Sequence, residues 1–319
     1  MTRTDLHKTL LGWLPTEWQE RIGTLRRYSL FGERGTGNAI IACVDGTTFH
    51  GGLADRWKGI VSLYAIAKAT GRDFRIRYIF PFDLTEFQVS ATYDWQLKEG
   101  EWSNRVSRVC MKRVLAEPNI TRMLRLPQGK QIHGYANRDW VNEVNAYYHT
   151  SYTWGELFQE LFQPSERIHK ALASYQALLP KSYIAVAFRL QNLFGDFTEY
   201  DYQPTDTTRQ KEITDLCRSY LEQLHHTTQK TILVTSDSRL FAQEMADLPF
   251  VVCTTGQAAH TDTGINATSE QYLKSFVDFY LLANAQEVYC AGTKEMYPSE
   301  FPLYAAKVHD RPFYRVSLS

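Results

Sequence analysis

The spacing of apolar residues changes several times along the chain, and each change marks an element. Ala39 to Val44 is a continuous apolar run closed by Asp45-Gly46, too short for a buried helix, and predicts a buried strand. From Leu53 the apolar positions Leu53, Trp57, Ile60, Val61 and Tyr64 fall three or four apart, which predicts a helix starting near Ala54 and ending at Gly71. Phe74 to Phe80 then reads as a second strand. Strand, glycine loop, helix and strand make the unit of a parallel α/β sheet, and ligands of such sheets bind at the carboxyl ends of the strands.

The second half repeats this alternation. Strands are predicted at Tyr183 to Phe188, Thr231 to Thr235, Phe250 to Cys253, Val288 to Ala291 and Phe313 to Val316. Helices fall between them, with Ile213, Cys217, Tyr220 and Leu224 on one face, then Leu240 to Met245, then Leu273 to Asn284, then Phe301 to Val308. Thr207-x-x-Gln210 reads as a capping box. The pattern weakens over 81–152, where only Gln131 to Tyr135 suggests a strand. Trp154 to Phe162 predicts a helix stopping at Pro164, and Ser165 caps a second that runs past Leu172 to Pro180, a pair placed as the hinge between halves. Leu6, Leu10 and Leu14, then Trp18, Ile22 and Leu25, predict two short helices, with an amphipathic membrane-surface helix and so peripheral membrane contact as the alternative. The fold class is α/β, in two domains, 1–178 and 179–319.

Charge and cysteine content narrow the setting. Lys plus Arg equals Asp plus Glu at 35 each, so no net field favours nucleic acid. Basic stretches at Arg105 to Arg113 and Arg122 to Arg125 read as solvated helix faces or local patches. The 5 cysteines form no CxxC pair and sit mainly in apolar runs, which fits a reducing, cytoplasmic setting, and no apolar run approaches the ~18 residues needed to cross a bilayer. Abundant aromatics, 19 Tyr, 17 Phe and 7 Trp, suit a sugar-binding cleft as well as a large core.

Several residues at predicted strand ends have the chemistry of an anion site. Gly51 and Gly52 allow backbone N–H groups to approach a phosphate at a helix N-terminus, or simply permit a tight turn. Arg189, at the end of a strand, offers a planar fork of donors to a diphosphate, or a structural ion pair. Asp237 and Ser238 follow the next strand and suit either a ligand's hydroxyl and amine groups or the cap of the following helix. The histidines lack metal-ligand spacing, no Walker A run is present, and no GxSxG elbow anchors a hydrolase triad.

The letters themselves carry a resemblance. Gly51-Gly52-Leu53-Ala54-Asp55-Arg56 resembles the first block of the GDP-fucose-dependent fucosyltransferases of the GT-B type, a group with bacterial α-1,2- and α-1,6-transferases and protein O-fucosyltransferases. Tyr183 to Arg189 is similar to that family's strand ending in His-x-Arg-Arg-Gly-Asp, with Ala187 at the His position, Leu190 at the second Arg, and Gly195-Asp196 aligned only across an insertion. Thr235-Ser236-Asp237-Ser238 resembles its Thr/Ser-Asp-Asp turn. The helix bearing Asp278, the strand Val288 to Ala291, and Ser299-Glu300-Phe301-Pro302 followed by Ala305-Ala306 resemble its tail.

These blocks occur in family order, and the resemblance implies two Rossmann-like domains facing across a cleft, with the donor on the second and the acceptor on the first. It implies inverting transfer of fucose from GDP-fucose to a glycan hydroxyl, a nucleotide-sugar donor and a glycan acceptor as partners, no cofactor and no metal. Donor binding falls to Gly51, Gly52, Arg56, Arg189, Asp237, Ser238, Asp278, Ser299 and Phe301, with Thr293 or Lys294 as alternatives to Ser299. Arg189 would also stabilise the leaving diphosphate, and His50 and Asp55 are the candidates for the base, each equally readable as positioning or structural. Ala187, Leu190 and Glu300 leave open a transferase for another nucleotide sugar, or an inactive binding paralogue.

Overall fold

The computed structural model describes Trp18, Ile22 and residues 25–115, 121–197, 203–262 and 267–319. The two short helices expected before residue 30 lie largely outside these residues. In chain order the strands and helices are β1 (Ile40–Val44), α1 (Leu53–Thr70), β2 (Phe74–Tyr78), β3 (Gln88–Ser90), β4 (Val109–Val114), α2 (Thr121–Leu124), β5 (Gln131–Ala136), α3 (Val141–Tyr148), α4 (Trp154–Leu161), β6 (Phe162–Pro164), α5 (Glu166–Gln176), β7 (Ile184–Phe188), α6 (Thr207–Thr228), β8 (Ile232–Ser236), α7 (Arg239–Met245), β9 (Val251–Cys253), α8 (Ser269–Asn284), β10 (Val288–Gly292), α9 (Phe301–Val308) and β11 (Phe313–Ser317). No described helix is long and apolar enough to cross a membrane.

Contacts gather the chain into two units. The first holds Met1–His50, Asp55–Phe80 and Thr92–Thr153; the second holds Gly51–Ala54, Pro81–Ala91 and Trp154–Ser319. The helices α4 and α5, placed before the domain boundary by the sequence, pack within the second unit. There α4 approaches α9 so closely that a Cβ at Gly155 would fall on the Lys307 carbonyl oxygen.

The first unit is built on a parallel sheet of order β2-β1-β5-β4. Every residue of β1 and β5 is buried, as central strands covered on both faces require. Helix α1 opens with Asp55 and closes with Lys68, matching the dipole, and ends in a Schellman turn in which Gly71 takes φ 63° while its N–H reaches Lys68 and that of Arg72 reaches Ala67. Near its middle, Gly59 lets the helix lie directly on the end of β5, since a Cβ there would overlap the Ala136 carbonyl. The basic stretch before residue 113 is no helix face. It turns through Val106–Arg108 and becomes β4, whose alternating burial leaves Lys112 half-buried and Arg113 exposed.

The second unit contains a five-stranded parallel sheet of order β11-β10-β7-β8-β9. Ile184, Val186 and Phe188 point into one apolar layer with Ile213, Cys217, Leu221 and Phe241. Three local details differ from the sequence reading. Helix α4 stops at Leu161, because Phe162–Pro164 pairs antiparallel with β3 as a small separate ribbon. Helix α6 is capped one residue earlier than expected, by Asp206 accepting from the Arg209 N–H at 3.0 Å. Gln210 instead donates to the Leu193 and Thr205 carbonyls, at 3.0 Å each, tying down the loop after β7.

Candidate functional site

In the second unit, the loops leaving β7 and β8 are tied together by two carboxylates. Asp237, which follows β8, accepts from the Leu190 N–H at 2.8 Å, the Gln191 N–H at 2.7 Å and the Arg189 guanidinium at 2.8 Å. These bonds hold Gln191 in the left-handed region at φ 53°, a conformation few side-chain-bearing residues adopt unaided. Burial raises the Asp237 carboxyl from its ordinary range, while Arg189 and the two backbone amides pull against that. Arg189 lies 4.6 Å over the Phe197 ring and keeps about one fifth of its side chain exposed, 21 %. It is therefore a fixed cation at the carboxyl end of the central strand.

Asp196 makes the second tie, accepting from the Ser238 hydroxyl at 3.1 Å and the Leu240 N–H at 2.9 Å. Ser238 is fully buried and also accepts from the Phe241 N–H at 3.1 Å, so its hydroxyl is spent capping α7 and holding Asp196. The residue in the position of the second arginine, Leu190, is completely buried in the apolar layer beneath the sheet.

Helix α8 brings a buried ion pair to the same edge. The Lys274 ammonium sits 2.6 Å from Asp278 and also donates to the Ser236 carbonyl at 3.0 Å and the Thr254 hydroxyl at 3.2 Å. Lys274 lines a cavity of about 330 Å³ beyond β9, together with Tyr175, Thr255, Gln257, Gln271 and Val277. The sequence reading included Asp278 and missed Lys274, although a Lys four residues before an Asp on one helix is a legible pairing. At the start of α9 the Ser299 hydroxyl accepts from the Phe301 N–H at 3.2 Å, and the Phe301 ring meets Phe279 edge-on at 5.5 Å.

Gly51, with φ 81°, belongs by its contacts to this unit as well. Its N–H donates to the Asp262 carboxylate at 2.5 Å, and its carbonyl accepts from the Thr261 hydroxyl at 3.1 Å. The amide expected at a phosphate thus already holds an anion of the protein's own. Gly52 stands half-buried between Gly51 and the first residue of α1.

In the first unit, the turn after β1 collects the remaining expected residues and several unexpected ones. His50 is 1 % exposed, accepts from the Asp45 N–H at 3.3 Å through Nε2, and stacks on Tyr135 at 6.2 Å. Asp45 accepts from the Thr47 N–H at 3.0 Å, the Thr47 hydroxyl at 2.5 Å and the Tyr135 hydroxyl at 2.8 Å. Burial opposes ionisation of Asp45, but these hydrogen bonds prevail and hold its carboxyl below the usual range. Asp55 pairs with Lys58 at 2.6 Å with its side chain 39 % exposed. Arg56 is directed inward, donating to the Tyr78 hydroxyl at 2.9 Å and the Phe80 carbonyl at 2.6 Å, and is fully buried. Its visible work is to pin the first turn of α1 to the end of β2.

No family model matches the sequence, and no curated protein does. Solved structures match at the level of fold. A mutant of FUT1 from Arabidopsis thaliana in complex with GDP superimposes with a TM-score of 0.56 at 12% identity, over 98% of this chain and 76% of that chain. The fucosyltransferase NodZ from Bradyrhizobium gives a TM-score of 0.48 at 13% identity, over 85% of this chain and 92% of that one. The chain accordingly has an α/β fold of the GT-B type, with a parallel sheet in each of its two units.

Proposed function

We propose that the protein is a glycosyltransferase that moves fucose from GDP-fucose to a glycan hydroxyl with inversion at the sugar carbon. The observation that carries this reading is Arg189, a partly exposed guanidinium locked at the carboxyl end of the central strand of a parallel sheet, in a chain whose fold matches a GDP-bound FUT1 over nearly its whole length. In the reaction the acceptor oxygen bonds to the sugar carbon, the bond from that carbon to the diphosphate breaks, and the diphosphate leaves with the electron pair. Arg189 and the N–H groups opening α9 supply positive charge for that departure, so the reading needs no metal. The proton goes to Asp55 in preference to His50, because His50 is closed in by Asp45 and Tyr135, whereas the Asp55 carboxylate is partly in water. Glycan synthesis in the cytoplasm is the setting we assign, supported by the thiols of Cys43, Cys217, Cys253 and Cys290, none of them in a disulfide.

Calorimetric titration with GDP, UDP, ADP and CMP, followed by transfer from labelled GDP-fucose, tests the proposal. Selective binding of GDP with transfer supports it, and selective binding of another nucleotide or of none removes it. A second reading, another nucleotide sugar as donor, is favoured by one observation: Leu190, at the position of the second arginine, is completely buried in the apolar layer and offers no cation to a diphosphate.

A further inference from the structure

The cavity beyond β9 is built from three parts of the second unit: helix α5, the loop that leaves β9, and the first turns of helix α8. Its volume of about 330 Å³ lies at the small end of the range for small-molecule sites, about 300–1,000 Å³. Tyr175, Lys274 and Val277 are buried in its wall, while Ser174, Gly256 and Gln257 are exposed at its mouth. The Tyr175 hydroxyl accepts from the Thr255 N–H at 2.9 Å and lies 3.1 Å from the Thr255 hydroxyl, which fastens the loop to α5. Gly256 takes φ 95°, and a Cβ there would stand 3.8 Å from Cδ of Lys274, so the absence of a side chain leaves the mouth clear.

Two hydrogen bonds join this cavity to the edge that holds Arg189. Lys274 donates to the Ser236 carbonyl at 3.0 Å, and the next residue, Asp237, pairs with Arg189 at 2.8 Å. Gln257 donates to the Asp196 carbonyl at 2.6 Å, and the Asp196 carboxylate accepts from Ser238 on the other side of Asp237. Through Ser236 and Asp237, standard covalent geometry keeps the Lys274 ammonium within roughly 12 Å of the Arg189 guanidinium. The sheet order β11-β10-β7-β8-β9 runs outward in both directions from β7, which makes the end of β7 the switch point where a nucleotide's phosphates sit. A nucleoside extending from there past β8 and β9 arrives at the cavity.

The charges around the cavity are already balanced, Lys274 by Asp278 at 2.6 Å and Glu270 by Arg167. Such a wall would strip an ion of its hydration and return no new partner, so it suits a neutral ring. Tyr175, Val277 and the stem of Lys274 give apolar surface for the faces of that ring, and the amides of Gln257 and Gln271 give donors and acceptors for its edge. We infer that this cavity receives the base of the nucleotide-sugar donor. The inference rests on the reading of the protein as a nucleotide-sugar transferase, and it places base recognition on α5, α8 and the loop after β9.

The test fills the cavity from α5, with Ala171→Leu, Ser174→Leu and the two together, at positions that lie outside the buried core. Calorimetric titration of the full chain and the three variants uses GDP, UDP, ADP, CMP and inorganic pyrophosphate, which has no base. Urea midpoints close to the parent's establish that the variants fold. The expected result is a loss of roughly tenfold in nucleotide affinity for the double variant, with pyrophosphate affinity unchanged. Nucleotide affinity that survives the double substitution, or pyrophosphate affinity that falls in step with it, overturns the inference. Selective GDP binding insensitive to the substitutions rejects the base site alone and leaves the transferase reading standing. Selective binding of another nucleotide, lost on filling the cavity, keeps the site and rejects GDP-fucose as donor. A chain that binds none of the four nucleotides refutes both.

Discussion

The guanidinium of Arg189 is held 2.8 Å from the carboxylate of Asp237, and the same carboxylate accepts the two backbone N–H groups that follow Arg189 in the chain. One buried group thus fixes both the cation and the loop that carries it. Arg189→Ala should lower nucleotide affinity at least tenfold, since a charge-assisted hydrogen bond is worth about 1.5–3 kcal/mol. Arg189→Lys should recover little, because an ammonium lacks the planar fork. Calorimetry with GDP checks both, and an Arg189→Ala chain that binds like the parent would take Arg189 out of the site.

Asp237→Ala should act differently, because it strands two backbone amides and a guanidinium in a buried place. A stability loss of about 3–5 kcal/mol is expected, the cost of breaking a buried pair from one side. Urea unfolding reads it directly. Asp237→Asn, which keeps acceptor oxygen for one amide, should fall between that variant and the parent.

The first unit should lose stability below neutrality because of His133. This ring is completely buried, stacked 3.9 Å from Trp102, with Nδ1 2.7 Å from the Tyr28 hydroxyl and Nε2 3.3 Å from the side-chain amide oxygen of Gln131. Burial, with Arg77 adding to it, lowers its pKa from 6.5 to about 3. A depressed folded-state value means that the unfolded chain takes up the proton first. The stabilising contribution is complete above pH 6.5 and drains away as pH falls from there toward about 3, by up to ~1.4 kcal/mol per pH unit. Urea midpoints at pH 7.5, 5.5 and 4.5 should fall in that order, and His133→Gln should flatten the slope even if it lowers every midpoint.

How much of this was legible beforehand depends on what each residue answers to. Strands such as Ile184–Phe188 and Ile232–Ser236 are continuous apolar runs between breakers, so local spacing reveals them. The strand Val109–Val114 carries Lys112 on a half-buried and Arg113 on an exposed position, and a basic run of that kind reads equally well as a helix face. Arg189 and Asp237 were found from strand ends and family letters, but their mutual bond was not, since partners separated by 48 positions leave no local pattern. The same holds for Asp45, whose partners Tyr135 and Arg77 come from two other strands. Arg56 shows the converse ambiguity: a charged residue in a motif reads as a ligand-binding one, and here it is buried and donates to the Tyr78 hydroxyl and the Phe80 carbonyl, partners that the motif alone does not reveal.

Lys274 and Asp278 should prove strongly coupled. Each is nearly buried, so Lys274→Met leaves a carboxylate without its cation and should cost about 3–5 kcal/mol. Replacing both, as Lys274→Met with Asp278→Leu, should restore most of the loss, because two apolar side chains fill the space with no charge to desolvate. A double-mutant cycle by urea unfolding measures the coupling, and simple additivity of the two single losses would refute it.

The contact between Gly51 and Asp262 sets an occupant against the expected ligand. The Gly51 N–H, at a backbone conformation that only glycine takes easily, is spent on the Asp262 carboxylate at 2.5 Å, and the Thr261 hydroxyl donates to the carbonyl of the same residue. A donor diphosphate that uses this amide must first displace Asp262, which lowers its apparent affinity by the free energy of the contact. Asp262→Ala should therefore tighten GDP binding several-fold, since a hydrogen bond to a charged group is worth about 1.5–3 kcal/mol and part of it is returned by water. Asp262→Asn should give a smaller gain, because the amide oxygen still accepts but carries no charge. Gly51→Ala should weaken binding in both backgrounds, as the strained backbone can no longer present its N–H. Titration of the three variants with GDP decides the matter: weaker binding on loss of Asp262 would make this carboxylate a support of the site and not its competitor.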